Sequence, residues 1–122
     1  MDEGNEPPKK FDLEDRTFEF ANNSKEFLKR IDKSTHNIEY YKQLIRSSGS
    51  VAANFIEANE SFSRNDFSHR IKICRKEAKE SRLWLRLIDI NEQSESKRAS
   101  LIQEATELMK IFGAILEKTK ST

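Results

Sequence analysis

Phe67, Ile71, Cys74, Ala78, Ser81, Leu85 and Ile88 follow one another at alternating spacings of four and three residues, without a miss. An apolar stripe of that period lies along one face of an α-helix and cannot alternate across a strand. The chain must therefore build at least one long helix, from about Arg64 to Ile90, and must supply other elements to cover its stripe.

The rest of the chain supplies them in the same style. Leu13, Phe20, Phe27, Leu28 and Ile31 can share a face of a first helix from about Leu13 to Ile31, with Phe18 and Ala21 beside it and Asp12 or Asp15 at its start. Asp32–His36 reads as a turn. A second helix is expected from about Asn37 to Glu60, with Ile38, Ile45 and Ala52 as a heptad seam interleaved by Tyr41, Ser48 and Phe55. Gly49 and its serine neighbours should bend this helix or admit a neighbour closely, and the unbroken apolar register favours close approach. Ser61–Asn65 breaks the chain again, with Ser63 or Asn65 as a cap. After Asn91–Ser94, a last helix carries Leu101, Ala105, Leu108, Phe112 and Ile115, capped by Ser94 with Glu95 in its first turn.

These segments predict an all-α fold, an antiparallel up-down four-helix bundle over residues 11–118. Residues 1–10, polar and carrying Pro7-Pro8, read as a disordered tail, and residues 119–122 as a frayed end. With 3 Gly and 2 Pro in 122 residues, there is little turn material for a many-stranded alternative. No apolar stretch approaches the ~20 residues of a membrane helix. The start of the chain is acidic, unlike a secretory leader. A cytoplasmic protein with no membrane partner is the expectation.

Chemistry is sparse. Cys74 is the single cysteine, so an intrachain disulfide or a multi-cysteine metal site is impossible. It falls on the core stripe between Ile71 and Ala78, where a packed small residue is the simpler reading than a nucleophile. His36 and His69 are far apart, and Asp66 three residues before His69 reads as a helix-start acid rather than a ligand. Glu57 and Glu60 form a lone carboxylate pair that specifies neither a metal nor an acid–base couple. Asn54, inside an apolar run, is either a buried polar contact that fixes register, with Glu57 as its partner, or a residue exposed on the helix flank. No catalytic residue, metal ligand or cofactor is expected.

Two features of the third helix point to binding instead. The net charge is +1, which removes any bulk electrostatic attraction to nucleic acid. Yet Lys72, Arg75, Lys76, Lys79, Arg82 and Arg86 fall within a sector of roughly 120°. Such a stripe is either a phosphate-binding face or a solvated one, with Glu80 pairing some of its cations. Ile73, Leu83, Trp84, Leu87 and Ile90 lie away from the core stripe. They form either a self-association interface with Trp84 as anchor, or part of a wide core in which Trp84 packs on the first helix.

The runs Ser47–Glu60 (SSGSVAANFIEANE), Ser63–Phe67 (SRNDF) and Ile71–Leu87 (IKICRKEAKESRLWLRL) resemble a known family. It comprises bacterial four-helix-bundle proteins encoded within intervening sequences of large-subunit ribosomal RNA genes. Relatives of the accessory protein of diversity-generating retroelements belong to it as well. Ser50, Val51, Ala53, Asn54 and Glu57 keep the family's motif in the second helix, while Ala52 replaces its proline and Ala58 its glycine. That helix should thus be less kinked than in proline-bearing relatives. Lys76-Glu77-Ala78-Lys79-Glu80-Ser81 followed by Trp84-Leu85 is the other strong match. The resemblance implies a homo-oligomer, with a ring-shaped pentamer preferred. Through the accessory-protein branch it also implies RNA or a reverse-transcriptase-like protein as partner. A structural or selfish-element protein without nucleic-acid binding is the alternative.

Overall fold

Four amphipathic segments with short connections can bury their apolar faces only against one another, and they do so here. The structure, a computed structural model, describes residues 12–120, so the expected N-terminal tail lies outside the described residues. Helix α1 spans Leu13–Leu28, α2 Ile38–Asn59, α3 Arg64–Leu87 and α4 Glu95–Lys120, with a 3-10 turn at Glu92–Ser94 before α4. No strand occurs among the described residues. Each helix packs on two others, α1 on α2 and α4, and α3 on α2 and α4. The product is a four-helix bundle around one core.

Local chemistry sets the boundaries. Asp12 caps α1 by accepting from the Asp15 amide at 3.3 Å, and Ser63 caps α3 by accepting from the Asp66 amide at 3.1 Å. Asn91 caps the 3-10 turn that leads into α4, accepting from the Ser94 amide at 3.2 Å. Helix α3 stops at Leu87, short of the expected Ile90, because buried Asn37 captures the backbone beyond it. The Asn37 side chain accepts from the Asp89 amide at 2.8 Å and donates to the Asp89 carbonyl at 2.8 Å. Its amide group also donates to the Asp32 carbonyl at 3.1 Å, which ties the α1–α2 turn to the α3–α4 turn. A helical continuation would need those same Asp89 groups for its own ladder.

The core follows the α3 stripe closely: Ile71, Cys74, Ala78, Ser81, Leu85 and Ile88 are buried, and Phe67 is partly buried against them. Helix α2 departs from expectation. Its buried seam is Leu44, Ser47, Ser48, Val51, Phe55 and Ala58: the expected Ser48 and Phe55 hold, while the Ile38–Ile45–Ala52 line gives way to Leu44, Val51 and Ala58. Ile45 is 45% exposed. The serines are tolerable inside because Ser47 and Ser81 share a hydrogen bond at 2.7 Å across the α2–α3 interface. Gly49 admits no close neighbour, since a Cβ placed there would meet nothing within 4 Å. The helix nonetheless runs unbroken from Ile38 to Asn59 through Gly49 and Ala52.

Candidate interaction surface on the third helix

Helix α3 sits between α2 and α4, and its position sorts its polar residues into three groups. Those facing α2 are spoken for. Glu77 is buried, and the Arg46 guanidinium donates to it at 3.1 and 3.4 Å and to Glu80 at 3.1 Å. The two carboxylates hold the Arg46 pKa above its ordinary value, Glu77 foremost. Two helix turns closer to the α2–α3 loop, Arg70 donates to Asn54 Oδ1 at 2.8 Å, while the Asn54 amide donates to the Ser50 carbonyl and hydroxyl at 3.0 and 2.9 Å. Asn54 is thus a partly buried interhelical contact, and its partners are Arg70 and Ser50 rather than Glu57, whose side chain is exposed.

The group facing α4 is smaller. Arg82 donates to Thr106 Oγ1 at 3.1 Å. The Arg75 guanidinium lies against Gly113, 3.9 Å from where a Cβ would stand. A shallow groove between the two helices is lined by Arg64, Ser68, Lys72 and Arg75 on α3 and by Leu116, Glu117 and Lys120 on α4.

The third group faces outward. Lys72, Arg75, Lys76, Lys79 and Arg86 are exposed, and Arg82 is partly so. Among the described residues no carboxylate stands within 4.0 Å of any of these six cations. Glu80, which could have paired Lys76 four residues away, is drawn to Arg46 instead. The helix therefore presents cations outward because its acids are sequestered on the opposite flank.

The five apolar residues of the same helix region do not form one patch. Leu83 and Leu87 are 44% and 45% exposed among the outward cations. Ile73, Trp84 and Ile90 are partly buried, and Trp84 stacks on Tyr40 of α2 with centroids 6.1 Å apart, not on α1. Its indole N–H is buried and finds no acceptor.

Other candidate groups are dispersed. Cys74 is fully buried, its thiol 3.5 Å from the Val51 carbonyl, and burial pushes its pKa up to about 12. That leaves essentially no thiolate at neutral pH. His36 and His69 are both exposed. Among the described residues no three His, Cys, Asp or Glu gather where they could hold a metal ion. No helix among them is long and apolar enough to cross a membrane. Sequence reasoning missed Arg46 and Asn37. Both act through partners 31 to 52 residues away, and no local pattern announces such a contact.

The family model for the 23S rRNA-intervening sequence protein matches residues 9–114. The chain belongs to that family. The four-helix architecture agrees with a solved structural relative from Bacteroides thetaiotaomicron VPI-5482, described as a protein of unknown function from the S23 ribosomal protein family. This intervening sequence protein is 31% identical to it, the match covering 85% of this chain and 97% of that one, with a TM-score of 0.72. None of the curated proteins compared with the chain matches it. The family's function is not established, and neither description names a catalytic activity.

Proposed function

We propose that this intervening sequence protein is a non-enzymatic, self-associating helical bundle that binds nucleic acid, RNA first, through the outward face of α3. The observation that carries this reading is the separation of charge on that helix. Among the described residues six cations stand without carboxylate partners while Glu77 and Glu80 are turned to Arg46. Unpaired cations in a row bind a phosphate chain by releasing its condensed counterions. A reverse-transcriptase-like protein that itself handles RNA is a partner of the same reading, reached through the resemblance. The antiparallel, up-down course is supported by the pairing of Arg46 with Glu77 and of Asn54, two turns further along α2, with Arg70, two turns earlier on α3. A ring-shaped homopentamer in the cytoplasm is the assembly we favour, and a ring would repeat the basic face and raise avidity.

The test is binding of a structured RNA followed by fluorescence anisotropy at ~50 mM salt, where phosphate contacts are weakly screened. The double variant Lys72→Glu/Arg75→Glu should bind at least tenfold more weakly, with helical circular dichroism and assembly mass unchanged. RNA binding by the double variant equal to the parent's would overturn the assignment. No binding by the parent would favour a structural or selfish-element role.

A further inference from the structure

Both helices that border the groove between α3 and α4 turn acids away from it. On α3, Glu77 and Glu80 face α2, where Arg46 holds each at 3.1 Å. On α4, Glu104 and Glu107 face α1, where Arg16 holds each at 2.7 Å. The α1–α2 half of the bundle thus neutralises carboxylates of the other half, and the crevice opposite is left to cations. Among the described residues lining the groove, Glu117 is the exception. It stands at one end, with Lys120 3.4 Å away. At the other end exposed Asp89, Glu92 and Glu95 share a recess with Arg86, so the cationic stretch closes before that residue.

Between these ends two arginines lie against α4. Arg82 donates to Thr106 Oγ1 at 3.1 Å, and the Thr106 hydroxyl donates its own proton to the Ile102 carbonyl at 2.9 Å, so toward Arg82 it can only accept. The partly exposed guanidinium is thereby fixed on the groove wall, with the rest of its fork unpartnered among the described residues. Arg75 stands two turns earlier on α3, about 10 Å along the helix. Its guanidinium lies over Gly113, which is likewise two turns from Thr106 on α4. At these two levels α4 offers a hydroxyl and a bare backbone, and so adds no charge and little bulk. Lys72 and Lys79 are exposed on the α3 lip above.

We propose that one strand of RNA lies lengthwise in this trough, its phosphates taken by Arg75 and Arg82 from the floor and by Lys72 and Lys79 from the lip. The inference rests on the RNA reading above and names its ligand, a single strand rather than a duplex. Width and depth select the strand. Packed helices stand about 8–10 Å apart, a channel that admits one phosphodiester chain, whereas a duplex can only rest on the crests. A guanidinium fork held in place grips a phosphate through two parallel N–H bonds, and from the floor it reaches only a chain that enters. No aromatic side chain of α3 is present between Lys72 and Arg82, and Phe112 of α4 is buried, so the bases find no stacking platform there. The strand is therefore held by its phosphates. An open cationic surface would instead favour the duplex, whose charge is denser.

Anisotropy titrations with an oligouridylate of ~12 nucleotides and with an RNA duplex of equal length, at ~50 mM salt, test this. The single strand should bind at least tenfold more tightly than the duplex. Gly113→Leu fills the floor without changing any charge. It should keep the parent's helical circular dichroism and weaken oligouridylate binding at least tenfold. Gly113→Ala should bind as the parent does and unfold at a higher temperature, since glycine is the poorer helix former. Thr106→Val frees Arg82 and should weaken binding about threefold, while Thr106→Ser, which keeps the hydroxyl, retains it. A duplex that binds as tightly as the single strand, or more tightly, would overturn the single strand as ligand. Gly113→Leu and Thr106→Val that both bind as the parent does would overturn the trough. Weaker binding by Lys72→Glu/Arg75→Glu would then leave the RNA reading standing on the outer face of α3. A parent that binds no RNA would remove that reading, and this inference with it.

Discussion

Arg46 on α2 holds the buried carboxylate of Glu77 on α3 at 3.1 Å, and this pair decides what α3 shows to the outside. Without it, Glu80 would be free to pair Lys76, one turn away on its own helix, and Glu77 would be left buried without a partner.

Removing Arg46 should therefore be felt in stability. Breaking a buried ion pair from one side costs about 3–5 kcal/mol because the other charge is left buried. The Arg46 side chain is 51% exposed and Glu77 only 8%, so screening reduces the expected loss for Arg46→Met to about 2 kcal/mol. The double variant Arg46→Met/Glu77→Met should recover most of it, since two apolar side chains can replace an ion pair at little net cost. Urea denaturation of the three proteins measures this. A double variant less stable than Arg46→Met would contradict it.

Asn37 should be the most sensitive polar residue in the loops. Its one side chain satisfies the amide and carbonyl of Asp89 and the carbonyl of Asp32. Truncation to Ala leaves these backbone groups without partners, at about 2–3 kcal/mol in all. Asn37→Asp keeps the acceptor for the Asp89 amide but loses both donors, and should fall between the parent and Asn37→Ala. Thermal unfolding that ranks Asp below Ala would show that repulsion from Asp32 and Asp89 outweighs the retained bond.

Burial of Cys74 predicts an alkaline dependence of stability. Its folded pKa stands near 12 against a reference of 9.0, so the folded state keeps the thiol proton that the unfolded chain releases. The corresponding stability is complete below pH 9.0 and is lost as pH rises toward 12. Cys74→Ala should be less stable than the parent at neutral pH, because a packed sulfur is gone, yet decline less steeply above pH 9. In the parent, a thiol reagent at pH 8 should react only on unfolding. Prompt labelling of the native protein would contradict full burial.

How far the sequence could be read depended on whether a residue's partner lay on its own helix. The α3 stripe was legible because its spacing of four and three is a property of one segment, and the buried set follows it. The α2 seam was legible only in part: Ser48 and Phe55 of the expected seam are buried, but Ile45 is exposed and Ile38 and Ala52 only partly buried, while Leu44, Ser47, Val51 and Ala58 complete the true seam. A serine is a poor core residue by type and an acceptable one once Ser81 of another helix completes its hydrogen bond. The same limit hid the partners of Glu77 and of Trp84, whose neighbour Tyr40 is on α2. On α4 the expected stripe holds through Phe112 and then passes to Leu116, with Ile115 only partly buried, as a straight helix drifts off a strict heptad.

The basic face makes a quantitative prediction for RNA. If Lys72, Arg75 and Lys76 each neutralise a phosphate, the logarithm of affinity should fall with the logarithm of salt at a slope of about −2 to −3 per copy, from ~0.7 to ~0.9 counterions per contact. Between 50 and 200 mM salt that is a loss of roughly 20- to 40-fold, larger where several copies bind one RNA. Lys72→Glu/Arg75→Glu should flatten the slope by about 2 as well as weaken binding, because two phosphate contacts are gone. Arg46→Met should act through Glu80, exposed enough to persist as an anion, which is released to pair Lys76 and should weaken binding modestly at low salt. Sequence preference should be slight, since contacts to phosphate position a protein without reading bases. Anisotropy titrations over a salt series separate these outcomes. A slope near zero in the parent, with tight binding, would mean that RNA is held by something other than this row of cations.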